Sequence, residues 1–215
     1  MNELYTLGFG LLLGIKHVFE ADHLIAISTM LTEKKNPQKA ALIGTFWGIG
    51  HTTTLFVVGL SVLLLRLSIP QAIAERLEII VGLMLIVLGV QSIRKKVVSH
   101  EHKHTHGSIS HSHLHQDHTH QHKKSFFIGM VHGFAGSGAL MVLVLSLINS
   151  VWQGILYILL FGLGSTISMT FMSLVIGLPL SKSLTVFNKT EQYIRLLAGM
   201  ISVLFGISII YSILH

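Results

Sequence analysis

Two stretches of this chain carry no Lys, Arg, Asp or Glu: Ala40 to Leu65, and Ser125 to Ser181. A helix rises about 1.5 Å per residue, and the hydrocarbon core of a bilayer is about 30 Å thick. The second stretch, 57 residues long, is therefore too long for one crossing and suits two, with Asn149-Ser150 as the break. Charged residues make up only 11% of the chain, against about a quarter in soluble domains. These features predict an all-α, polytopic membrane protein with six transmembrane helices, at about 4–31, 40–65, 73–95, 125–148, 151–178 and 192–213. MNELYTLGFG has an acid and no basic segment ahead of its apolar run, so it reads as the start of the first span rather than a signal peptide.

The connections carry the charge. Those after the first, third and fifth helices hold eleven of the fifteen Lys and Arg residues. By the positive-inside rule these connections are cytoplasmic, and both termini face outward. The net charge of +6 reflects this loop bias and implies no nucleic-acid partner. The chain has no cysteine, which excludes disulfides, thiolate metal sites and thiol–disulfide electron transfer. There is no GxxxxGK[ST] phosphate loop, no HExxH motif and no nucleophile–base pair. The expectation is a protein that is not an enzyme, drawing any transport on a gradient or on another subunit.

Inside the first span, GIKHVFEADHLIAIS places Lys16, His17, Glu20, Asp22 and His23 within eight positions. Near the bilayer centre an Asp, Glu or Lys costs about 2.5–3.5 kcal/mol, so Lys16, Glu20 and Asp22 together would cost of order 8–10 kcal/mol in lipid. They must face the protein interior or a wet cavity. Lys16 and Glu20, four apart, have the spacing of a helical ion pair. Asp22 with His17 and His23 offers hard and borderline ligands to a divalent metal. At 100° per residue a straight helix cannot point those three at one ion. A broken helix can, and Gly14 is a candidate for loosening it. His51, in FWGIGHTTTLF, and His132, in MVHGFAGSG, are further intramembrane candidates. Glu20, Thr52 and Ser165 are weaker ones. None of these implies a resident cofactor; the expected occupant is a bound or transported divalent metal ion.

The third connection, SHEHKHTHGSISHSHLHQDHTHQHKK, holds ten histidines: His100, His102, His104, His106, His111, His113, His115, His118, His120 and His122. Neutral imidazoles bind divalent metals, so the tract reads as a metal buffer, one that does not choose among nickel, cobalt, zinc and copper. Having few apolar residues, it is expected to be disordered without ligand.

Three matches recur in order. GIKHVF (14–19) resembles GMVHGF (129–134), GIGHT (48–52) resembles GLGST (162–166), and GLMLIVLGVQSI (82–93) resembles GMISVLFGISII (199–210). They predict two copies of a three-helix unit, 1–97 and 125–215, flanking the His-rich loop at 98–124. Because three is odd, the copies are inverted, an architecture of transporters with a midplane site.

His17-(x)4-Asp22-His23 is the HxxxxDH pattern that opens the nickel/cobalt transporter family, and KHVFEADHLIAI is similar to that family's signature helix. FWGIGHTTT resembles its Gly-His-Ser/Thr element, and MVHGFAGSGAL resembles a second-half motif of its short six-helix, urease-accessory members. The resemblance implies secondary transport of Ni²⁺ or Co²⁺ across the cytoplasmic membrane, with His17, Asp22, His23 and His51 at the metal. Urease-type nickel enzymes would be the beneficiaries, and cytoplasmic metal chaperones are candidate partners beside the lipid bilayer. The larger importers usually carry an acid where this chain has Phe19; here it is Glu20. A related branch exports nickel and cobalt and also carries a His-rich loop, so both directions stay open, as does a membrane-bound metal sensor or chaperone.

Overall fold

The computed structural model describes residues 3–32, 36–66, 70–94, 103–106, 109–112, 119–135, 148, 150–186 and 190–215. Among them are seven helices and one hairpin. The helices are α1 (Glu3–His17), α2 (Ala21–Leu31), α3 (Pro37–Leu65), α4 (Gln71–Arg94), α5 (Thr119–Ala135), α6 (Val151–Val186) and α7 (Thr190–Leu214). By length and composition, three described stretches are apolar enough to cross a membrane: Pro37–Leu65, Val151–Leu180 and Gln192–Leu214.

Two expectations need correction. The first span, expected as one helix over 4–31, is two helices separated at Val18–Glu20. The His-rich tract, expected to be disordered, contains strands β1 (Lys103–His106) and β2 (Ile109–Ser112), paired antiparallel. His106 pairs with Ile109; Gly107 and Ser108 lie outside the described residues. Thr105 and Ile109 add β-branched residues, which favour a pleated strand. The helix expected at 125–148 begins earlier, at Thr119, and is described as far as Ala135; residues 136–147 lie outside the described residues.

Local signals set several ends. Asn36 caps α3 by accepting from the Gln38 N–H at 2.8 Å, and Pro37 occupies the first helical position, where its missing N–H has no intrahelical partner to lose. Arg66 closes α3 in the left-handed region, φ 51°, with its N–H on the Val62 carbonyl.

Packing divides into two groups, joined by α2 and by a direct contact of α4 with α5. α3 lies against α5 and α6, and α1 lies against α6. α4 pairs with α7, and α2 touches α4, α6 and α7. One buried core joins Val18, Ile27, Leu31, Ile43, Trp47, Leu85 and Met169; a second joins Leu55, Tyr157, Ile158 and Phe161.

Among the close helix contacts made at glycines, one set comes in reciprocal pairs. A Cβ on Gly14 would collide with the Phe161 carbonyl, and one on Gly129 with the Trp47 carbonyl. Gly50 meets the Phe126 carbonyl, and Gly164 meets the Leu11 carbonyl. Gly48 sits on Thr166 and Gly162 on Thr52; Gly82 and Gly206 face each other's carbonyls, as do Gly89 and Gly199. Exchanging α1 with α5, α3 with α6 and α4 with α7 turns each of these contacts into another member of the same set. Gly14 is thus a point of close helix approach, not the loosened position the sequence suggested.

Candidate metal centre

The break between α1 and α2 builds the centre. The Phe19 N–H bonds the Lys16 carbonyl at 3.0 Å and the Glu20 N–H bonds the His17 carbonyl at 3.1 Å, so α1 ends in tight turns. Glu20 is extended (φ −66°, ψ 146°) and its carbonyl accepts from Leu24 at 3.2 Å, which starts α2. His17 therefore ends one helix, while Asp22 and His23 lie in the first turn of the next. The change of direction removes the angular mismatch of a straight helix. It also places Asp22 at the positive end of the α2 dipole, which favours a carboxylate.

α3 and α5 supply the remaining imidazoles. The His17 and His23 ring centroids are 4.3 Å apart; His51 lies 5.4 Å from His17 and 5.6 Å from His23. His132 is 4.0 Å from His23 and 6.0 Å from His51. All four rings are buried. Candidate ligand atoms of His17, His23 and His51 lie within 4.8 Å of one another, as do those of Asp22, His23 and His132, so His23 is common to both groups.

Carboxylates orient three of the rings. Asp22 bridges two of them, with Oδ1 3.0 Å from His23 Nδ1 and Oδ2 2.9 Å from His132 Nε2; Oδ1 also accepts the His23 backbone N–H at 2.9 Å. Glu20 Oε1 lies 3.0 Å from His17 Nδ1. Glu20 thus takes His17 as its partner, not Lys16 as the helical spacing suggested. A carboxylate accepting the N–H of one ring nitrogen leaves a lone pair on the other. The nitrogens left over, His17 Nε2, His23 Nε2 and His132 Nδ1, are buried with no hydrogen-bond partner. Each such orphan costs about 1–3 kcal/mol. A carboxylate–histidine pair with its outer nitrogen free is the arrangement that metal-binding histidines adopt.

Aromatic walls close the cluster. Trp47 stacks on His23 at 5.9 Å and meets His132 edge-on at 5.6 Å, and Phe161 lies 5.7 Å from His17. Sequence reasoning passed over Trp47. Its signal was present, since it lies four residues before His51 and so shares that helix face.

The weaker candidates are held otherwise. Thr52 Oγ1 donates to the Gly162 carbonyl at 3.0 Å and lies 3.1 Å from Thr166 Oγ1. Ser165 Oγ donates to the Gly14 carbonyl at 3.1 Å. Both hydroxyls tie helices together. Of the tract histidines, His104, His106 and His111 fall in the hairpin, and His120 and His122 in α5; His100, His102, His113, His115 and His118 lie outside the described residues.

The chain was compared with known proteins. The family described as cytochrome C biogenesis protein transmembrane region matches residues 24–208. The chain is 39% identical to the urease accessory protein UreH of Bacillus sp. (strain TB-90), over 98% of this chain and 92% of that one. It is 29% identical, over 100% of its length and 94% of the relative's, to a Methanocaldococcus jannaschii protein whose name gives nickel/cobalt efflux as its supposed activity. It is 28% identical to the Arabidopsis thaliana chloroplast protein FOR GROWTH AND FERTILITY 2, over 78% of this chain and 46% of that protein. No solved structure matches.

Proposed function

The chain belongs to the nickel/cobalt permease family, a multi-pass membrane family that includes the urease accessory membrane proteins, and from that premise we propose that it is a secondary transporter carrying Ni²⁺, and Co²⁺ as a second substrate, inward across the cytoplasmic membrane. The observation that carries the reading is the cluster of Asp22 with the buried rings of His17, His23, His51 and His132, in which three ring nitrogens lack a partner. Asp22 and the imidazoles receive the ion. Glu20 orients His17, while Thr52 and Ser165 hold the helices that frame the site.

The protein crosses the membrane six times as two inverted repeats. The broken pair α1–α2 is the first crossing and α3 the second, and the reciprocal glycine contacts support the two-fold relation. The site then falls near the midplane at a helix break, where secondary transporters bind their substrates. Both termini face outward and the His-rich loop is cytoplasmic, as the distribution of basic residues favours. The loop receives and buffers arriving metal and passes it to chaperones that supply nickel enzymes such as urease.

Energetics allow import without ATP. A divalent ion entering down an inside-negative potential of about 100 mV gains about 4.6 kcal/mol, enough for roughly thousandfold accumulation. The relative named for nickel/cobalt efflux favours a second reading, in which the same site and loop discharge metal. Radioactive nickel content decides between them, measured at submicromolar external nickel in cells expressing the intact protein or His17→Ala. Higher content with the intact protein means import, and lower content means efflux. Equal content, with nickel still bound by the purified protein, would make it a metal sensor or chaperone.

A further inference from the structure

Because α5 begins at Thr119, the last histidine of the tract sits in an ordered helix. The half-buried His122 ring packs on Phe46 of α3, with centroids 4.8 Å apart. Its Nδ1 is buried and has no hydrogen-bond partner. Phe46 immediately precedes Trp47, the residue that walls His23 and His132. Along α5, His122, Ser125, Gly129 and His132 are spaced by three, four and three residues, which puts them on one face. Ten residues of helix separate the two histidines by about 15 Å.

We infer that His122 is the ligand at which a divalent metal ion passes between the His-rich tract and the buried cluster. One imidazole, with water completing the coordination, holds an ion weakly. That is what a transfer position requires: favourable enough to enter, weak enough to leave. Between His122 and His132 the way is shut, because the Trp47 carbonyl lies against Gly129. The α3–α5 contact is made at Gly50, Gly129 and Gly133, backbone against backbone. Passage of an ion requires α3 and α5 to part at these contacts.

This inference rests on the transport reading above, and the test separates the two. Full-length protein is reconstituted in liposomes holding a fluorescent metal indicator. Initial Ni²⁺ flux and equilibrium Ni²⁺ binding are measured for the native chain, His122→Phe, His118→Phe and Asp22→Asn. Phe at 122 keeps the ring contact with Phe46 and removes the nitrogens. The expected result is a roughly tenfold slower flux for His122→Phe, one decade of rate, with binding at the buried cluster unchanged and His118→Phe at the native rate. Native flux in His122→Phe overturns the inference and leaves the transport reading standing. So does an equal loss in His118→Phe, which would make the effect one of histidine number. Loss of equilibrium binding in His122→Phe would make its role structural and likewise overturn the inference. A native flux no faster than that of Asp22→Asn overturns both.

Discussion

Asp22 places one oxygen on each of two rings, His23 and His132. In the proposed transporter its charge offsets that of an incoming dication. Asparagine keeps the shape but loses the charge and one acceptor, so Asp22→Asn is expected to lower Ni²⁺ affinity by roughly 10–100-fold, the cost typical of losing a group that fixes metal ligands. The chain carries its own reporter. Its two tryptophans are Trp47, against His23 and His132, and the exposed Trp152. In Trp152→Phe, Ni²⁺ should quench Trp47 emission with saturation at one ion. In Trp152→Phe/Asp22→Asn the midpoint should move up by one to two decades. An unshifted midpoint would remove Asp22 from the site. The sequence singled out Lys16, Glu20 and Asp22 through the cost of placing them in lipid, which depends on residue type and not on shape. It misassigned the partner of Glu20, because the i, i+4 spacing with Lys16 presumes a continuous helix and the chain turns at Val18–Glu20.

The break between α1 and α2 is useful only if both halves are held in place. α1 is seated on α6 through Gly14, where the Phe161 carbonyl occupies the space of a side chain, and Ser165 bonds the Gly14 carbonyl from the same helix. Gly14→Ala is therefore expected to push α1 off α6 and cost about 1–3 kcal/mol, the usual penalty of overpacking, with His17 displaced and metal binding weakened. Gly8 lies on the same helix with nothing near its missing side chain, so Gly8→Ala should be neutral or stabilising, by up to about 1 kcal/mol from helix propensity. Thermal unfolding in detergent with and without Ni²⁺ checks both; equal melting temperatures for the two variants would refute the packing account. Most helix extents were legible in the sequence, because apolar run length fixes them. The split of the first span was not. No residue at 18–20 is a strong helix breaker, and the turn is stabilised by what α2 buries against α4, α6 and α7.

Among the described residues, like glycine contacts recur when α1, α3 and α4 are exchanged for α5, α6 and α7. An inverted arrangement makes a topological prediction that a cysteine-free chain suits well. Single cysteines at Lys35 and His113 should react with impermeant maleimide only from the cytoplasmic side. Those at Pro70 and Ser150 should react only from outside. Pro70 and Lys35 labelled from the same side would exclude the inverted topology. Sequence alone settled the solvent: long uncharged runs have no stable place except lipid, and this follows from solvation energy summed along the chain. It also limited the chemistry on offer: with no cysteine, no thiolate is available and the ligand types are imidazole and carboxylate. The tertiary fold decided which of those groups meet. His17, Asp22 and His23 needed the turn at Val18–Glu20, His51 and His132 needed α3 and α5 brought to van der Waals distance at glycines, and Ser165 was drawn to a helix contact. Such convergence depends on long-range packing, which residue spacing within one helix does not encode.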